Sequence, residues 1–129
     1  MKKINVLIVE DDPAMRVVLR STVLSAELDV EVNEIYEAEN GKVGLEVLGE
    51  KKVDLMLVDI YMPVMDGMEM LDYTYDHPEW SKIPAIVVST ESDEDRIDAI
   101  QRKGMGFVHK PLTHLYLKDK INDSFSKAD

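Results

Sequence analysis

Apolar residues along this chain follow two alternating patterns. Four short runs, residues 4–9, 53–58, 85–88 and 106–108, are near-continuously apolar and rich in Val and Ile. Runs of that length and composition predict strands buried on both faces. A fifth, over 30–36, mixes Val30, Val32 and Tyr36 with acids such as Glu34, as an exposed edge strand would. Its neighbourhood, 27–39, holds six acids and no base, a charge pattern that discourages edge-to-edge pairing.

Between these runs the apolar spacing becomes helical. Asp12 is placed to cap a helix that starts at Pro13 and carries Met15, Val18, Leu19, Thr22 and Ala26 on one face. Asn40-Gly41 opens a second helix with Val43, Leu45, Val47 and Leu48, and Asp66-Gly67 a third with Met68, Met70 and Leu71. Ser92 and Asp95 form a capping-box-like start for a fourth helix, with Ile97 and Ile100 apolar and Gly104 as its stop. Thr113 caps the last, where Leu117, Ile121 and Phe125 recur every four residues. Five strand–helix units in succession predict an α/β fold: a parallel sheet with helices on both faces and right-handed crossovers.

Composition narrows the function classes. At 129 residues the chain is one domain's worth, and its net charge of -11 comes with no stripe of Lys and Arg. Direct nucleic-acid binding and attachment to anionic lipid are therefore disfavoured. Without Cys there is no disulfide, thiolate zinc site or cysteine nucleophile. No apolar stretch approaches the roughly 20 residues of a membrane span, and the start lacks a cleavable signal pattern, so a cytoplasmic protein with no membrane insertion is expected.

Ligands of open parallel sheets bind beyond the carboxyl ends of the strands. Glu10, Asp11 and Asp12 come after the first run, and Asp59 and then Tyr61 after the third. Ser89 and Thr90 come after the fourth, and Lys110-Pro111 after the fifth. Carboxylates, a hydroxyl and an ammonium thus converge on one end of the sheet. Such oxygen donors suit a hard cation such as Mg²⁺, and a cation with a lysine suits a phosphoryl group. Asp12 reads first as a helix cap. Asp54, among apolar neighbours, can cap, pair or face an end of the sheet. Met62, Met65, Met68 and Met70 read as packing, and Trp80 as a loop anchor. His77, His109 and His114 show no ligand spacing.

In combination, Val9-Glu10-Asp11-Asp12-Pro13, Val58-Asp59-Ile60-Tyr61-Met62-Pro63-Val64-Met65-Asp66-Gly67, the hydroxyl after the fourth run, and Phe107-Val108-His109-Lys110-Pro111 resemble the receiver domain of two-component response regulators. The likeness runs from Lys3 to about Ser124, and the expectation is one response regulatory domain over residues 1–129, of the stand-alone, chemotaxis-regulator-like kind. It implies a flavodoxin-like (βα)5 fold with strand order 2-1-3-4-5. Asp59 matches the phospho-acceptor, which takes a phosphoryl group from the phosphohistidine of a sensor histidine kinase or histidine phosphotransfer protein and becomes 4-aspartylphosphate. Asp11, Glu10 (mostly through water), Asp59 and the backbone carbonyl of Tyr61 match the ligands of Mg²⁺ or Mn²⁺. Ser89, more than its neighbour Thr90, matches the switch hydroxyl, Lys110 the phosphoryl-binding lysine before a cis proline, and Phe107 the switch aromatic. Tyr61 and Glu91 match positions that tune the rate of phosphate loss.

The resemblance thus implies a phosphorelay signalling module, not a conventional enzyme, with intrinsic self-phosphorylation and autodephosphorylation. Its downstream protein partner would meet the face of the fourth helix, fifth strand and fifth helix, roughly residues 92–126. Two other classes fit less well. A haloacid-dehalogenase-like phosphatase needs a second Asp where this chain has Tyr61, and also a cap. A flavodoxin-like cofactor binder needs free amides after the first strand, where Glu10, Asp11 and Asp12 would repel its phosphate.

Overall fold

The computed structural model describes residues 1–25 and 27–126. The chain alternates β1 (Lys3–Val9), α1 (Pro13–Ser25), β2 (Glu31–Ala38), α2 (Gly41–Glu50), β3 (Leu55–Val58) and α3 (Gly67–Asp76). A 3₁₀ turn (Trp80–Lys82), β4 (Ala85–Ser89), α4 (Glu94–Arg102), β5 (Gly106–His109) and α5 (His114–Phe125) complete it. All strands are parallel, in the order β2-β1-β3-β4-β5. The alternating run is indeed an edge strand, and the three continuously apolar runs at 4–9, 53–58 and 85–88 give the interior ones.

Alternation of side chains across the sheet divides the core in two. Leu7, Val9, Met56, Val58, Val87 and Phe107 meet Leu48, Met70, Leu71 and Ile100 of α2, α3 and α4. On the other face Ile8, Leu57, Ile86 and Val108 meet Leu19 and Val23 of α1 and Leu117 and Ile121 of α5. Met62, Met65 and Met68 pack against the first of these cores, which also contains Met70. Trp80 joins them and stacks on His77 at 3.9 Å between ring centroids.

Caps end the helices as their chemistry requires. Side chains of Asn40, Asp66 and Thr113 accept N–H bonds from Val43 (2.9 Å), Glu69 (2.8 Å) and Tyr116 (3.3 Å). Asp12 accepts from Ala14 at 3.0 Å, and Gly104 takes the left-handed φ of 87° that stops α4.

Three expectations are corrected. Asp93, not Ser92, caps α4: its carboxylate accepts the Asp95 N–H at 3.0 Å, while the Ser92 N–H is taken by Glu91. The buried face of α1 is Leu19, Thr22 and Val23; Val18 is 43% exposed. The two choices of stripe are adjacent on the helix, and packing against β1 and α5 decides between them. The predicted face also included Ala26, which lies outside the described residues. Finally, β3 begins at Leu55. Asp54 pairs instead, its carboxylate accepting the Asn5 N–H at 2.8 Å while its own N–H donates to the Asn5 carbonyl at 2.8 Å.

Candidate functional site

The strand order reverses direction between β1 and β3, so the crevice for a ligand opens where these strands end. Glu10 is the first residue past β1, and its N–H still reaches the Ala38 carbonyl of β2 at 2.9 Å. Asp59 is the first past β3, its N–H bonded to the Val9 carbonyl at 3.0 Å. Those two bonds carry the sheet's register into the loops and fix where both carboxylates start. Carboxylate oxygens of Glu10, Asp11 and Asp59 lie within 4.8 Å of one another. Glu10 and Asp59 are buried and Asp11 exposed, so the cluster meets solvent chiefly at Asp11.

Lys110, just past β5, reaches into it. Its ammonium donates to Glu10 Oε1 at 2.7 Å and to Asp59 Oδ2 at 3.4 Å. The other Asp59 oxygen accepts the Ile60 N–H at 2.8 Å. The Lys110–Pro111 peptide is cis, as the resemblance implied. Burial pushes the Glu10 carboxyl above its ordinary range, and the charge of Asp59 adds to this. Lys110 and the Asp12 N–H work the other way without cancelling it. For Lys110 burial opposes the charge, but the bond to Glu10 and the field of Asp59 outweigh it and hold the ammonium above its usual value.

Ser89 ends β4, is fully buried, and its hydroxyl accepts the Glu91 N–H at 3.2 Å. Among the described residues it makes no hydrogen bond to the acidic cluster. Phe107 is buried on β5 beneath a groove of about 600 Å³ between α4 and α5, which Ile97, His109 and Tyr116 also line. Tyr61 is half exposed, and its hydroxyl donates to Glu91 Oε1 at 2.6 Å. That bond raises the Tyr61 hydroxyl and lowers the Glu91 carboxyl relative to their ordinary values. Among the described residues no donor takes the Tyr61 backbone carbonyl.

Two contributors were not legible in the spacing. Gly67 packs against the Asp59 backbone; its place after Asp66 marked it only as a helix start. Arg16 holds the carbonyls of the acidic loop, and one Arg in a first helical turn carries no distinctive signal.

All the donors in the cluster are carboxylate oxygens, with no Cys or His among them. This set fits a hard divalent cation and not a soft one. No helix among the described residues is long and apolar enough to cross a membrane.

The chain is 36% identical over 109 residues to the KDP operon transcriptional regulatory protein KdpE of Escherichia coli, covering 84% of this chain and 45% of that protein. It therefore spans less than half the length of that relative. Against the chemotaxis protein CheY-3 of Vibrio cholerae it is 28% identical over 127 residues, 98% of this chain and 95% of the other. A response-regulator structure from Chloroflexus aurantiacus shares the fold with a TM-score of 0.84 at 21% identity, over 98% of this chain and 100% of that one. The profile of the response regulator receiver domain matches residues 6–122. With the fold, the acidic cluster and this match over nearly the whole sequence, the chain belongs to the response regulator receiver family of two-component systems.

Proposed function

We propose that the chain accepts a phosphoryl group on Asp59 from the phosphohistidine of a sensor histidine kinase or histidine phosphotransfer protein. The observation that carries this reading is the cluster itself: three carboxylates within 4.8 Å of one another, with an ammonium between two of them. A carboxylate oxygen of Asp59 would attack phosphorus as the N–P bond breaks, leaving its electron pair on the histidine ring. Buried among the β1 and β3 ends, Asp59 is held in one orientation by the Ile60 N–H and Lys110, and such fixing converts binding energy into rate. Glu10, Asp11, Asp59 and the Tyr61 carbonyl would hold Mg²⁺ or Mn²⁺, which when bound neutralises charge on the phosphoryl oxygens. Lys110 would give up its bond to Asp59 for one to the transferred group.

The response would then pass through Ser89 and Phe107. A phosphoryl oxygen would accept a charge-assisted hydrogen bond from the Ser89 hydroxyl, stronger than the one that hydroxyl now accepts from the Glu91 N–H. Movement of Ser89 would loosen the loop before α4 and alter the space beside Phe107. The groove between α4 and α5 would change with it, which makes the α4–β5–α5 face the surface read by a downstream protein. In this reading the chain acts as an interaction switch whose own catalysis is limited to gaining and losing its phosphate.

Acetyl phosphate, or the cognate kinase, should label the protein once, at Asp59, and only with Mg²⁺ or Mn²⁺. Label mapped to Ser89 or Thr90, or surviving in Asp59→Asn, sinks the assignment. With beryllofluoride in place of the phosphoryl group, amide signals around Ser89, Phe107 and α4 should shift, and Ser89→Ala should uncouple most of that shift.

A further inference from the structure

We infer that Arg16 is a positioning residue of the acidic site, acting on Glu10 and Asp11 through the backbone that carries them. The inference rests on the metal-binding reading of the acidic cluster. Three consecutive carbonyls leave the end of β1, those of Glu10, Asp11 and Asp12, and all three accept hydrogen bonds from Arg16. The Arg16 backbone N–H takes the Asp12 carbonyl at 3.0 Å as the first bond of α1. The guanidinium Nη1 takes Glu10 at 2.7 Å and Asp11 at 3.4 Å. A helix leaves the carbonyls before its cap outside its own ladder, so the side chain of Arg16 extends the grip by two residues.

The guanidinium is itself anchored. Its Nε lies 3.2 Å from Glu37 Oε1 on β2, and the second Glu37 oxygen accepts Arg20 Nη1 at 3.1 Å. Glu10 thus meets β2 twice, by its N–H to Ala38 and through Arg16 to Glu37. Arg16 is only 20% exposed in its side chain, against 47% for Arg20. Arginine suits the task because its planar fork bonds two partners in fixed directions.

The need for such a device comes from charge. Glu10, Asp11 and Asp12 are adjacent acids, and with Asp59 beside two of them they repel. A free loop would relax by turning carboxylates apart, and a cation would have to reassemble them. Lys110 relieves the repulsion by bonding to the carboxylate oxygens of Glu10 and Asp59, which puts it in competition with a cation for them. Arg16 bonds to the carbonyl side of the loop and to no carboxylate of the cluster. It therefore keeps the donors in place without occupying them.

The competing explanation is an ordinary ion pair with Glu37, and Arg20 provides the control. It shares Glu37 but makes no hydrogen bond to the acidic loop. Mn²⁺ affinity of the full chain would be measured by paramagnetic broadening of amide signals, alongside the acetyl phosphate labelling rate at saturating Mg²⁺. Arg16→Gln should raise the Mn²⁺ dissociation constant about tenfold, as lost outer-sphere support does, while Arg20→Gln stays within roughly twofold, as for an exposed ion pair. The labelling rate at saturation should remain near wild type in both, and Arg16→Lys should recover part of the affinity. An Arg16→Gln protein that binds Mn²⁺ like wild type, or an Arg20→Gln protein weakened equally, overturns the inference. If Arg16→Gln fails to fold, the comparison of Arg16→Lys with wild type decides in the same way. A folded wild type that binds no Mn²⁺ overturns the metal-binding reading and this one with it, a result distinct from the other two.

Discussion

Gly67 and Asp59 lie back to back. A Cβ on Gly67 would overlap the Asp59 carbonyl oxygen and sit 2.8 Å from its carbon, and the Gly67 N–H bonds the Ile60 carbonyl at 2.8 Å. The first turn of α3 is thereby pressed against the backbone that presents the Asp59 carboxylate, an approach only glycine permits. Gly67→Ala should destabilise the fold by about 3 kcal/mol, at the upper end for overpacking, since backbone has to move. Gly49, with nothing near its virtual Cβ on α2, is the control: Gly49→Ala should be neutral or stabilise by up to about 1 kcal/mol. Urea titration of both variants checks the pair, and equal effects would contradict the steric account.

The ammonium of Lys110 offsets the charge of a Glu10 carboxylate whose side chain is 1% exposed. Replacing Lys110 with Met strands that carboxylate and should cost about 3 kcal/mol in metal-free buffer. Glu10→Gln/Lys110→Met should recover part of the loss, because one of the two carboxylates that Lys110 neutralises goes with it while Asp59 remains. A double-mutant cycle by chemical denaturation measures the coupling; purely additive losses would mean that the pair is not what stabilises the site.

Removing one charge from the cluster should help the metal-free protein. Asp59→Asn is expected to raise its melting temperature and to shrink the increment that Mg²⁺ supplies. An Asp59→Asn protein that melts lower without metal, or gains as much from Mg²⁺ as wild type, would argue against mutual repulsion at the site.

The bond between Tyr61 and Glu91 ties the loop after β3 to the loop before α4, and its pH window comes from two shifts of opposite sign. The Glu91 carboxyl is lowered from 4.5, first by this bond, so its share of stability is present above pH 4.5 and lost as pH falls through the lower folded value. The Tyr61 hydroxyl is raised from 10.0, again first by this bond, so its share is present below pH 10.0 and lost as pH rises through the higher folded value. Stability of wild type minus that of Tyr61→Phe should therefore form a plateau between those limits and fall away on either side. A difference that does not change with pH would assign the effect of the substitution to packing alone.

Val64 has a φ of 69° and centres a tight turn closed by the Met65 N–H on the Pro63 carbonyl at 2.8 Å. Left-handed backbone is strained for a β-branched residue, and the residue is 77% exposed, so little packing compensates. Val64→Gly should stabilise by about 1 kcal/mol, the strain relieved less the entropy glycine adds to the unfolded chain. Thermal melting checks the sign; a clear loss would show that the valine side chain matters to the loop.

The residues by themselves determined a great deal here. Where each apolar run stops is a local property, and in a parallel sheet all the carboxyl ends share one edge. The groups just past the ends of those runs (Glu10, Asp11, Asp59, Ser89, Lys110) were therefore placed at one end of the fold before any contact was known. Asn40, Asp66 and Thr113 were legible as caps for the same reason: a cap bonds within its own turn. Tertiary structure decided everything that depends on which strands are neighbours and how the helices lie on them. Lys110 meets Glu10 across 100 residues, Arg16 of α1 reaches Glu37 on β2, and Gly67 abuts the Asp59 backbone. The choice of Val23 over Val18 on α1 belongs here too. Hydrophobic periodicity records only that a side of an element avoids water. Two adjacent stripes satisfy that equally, and distances between elements are set by the packed sheet alone.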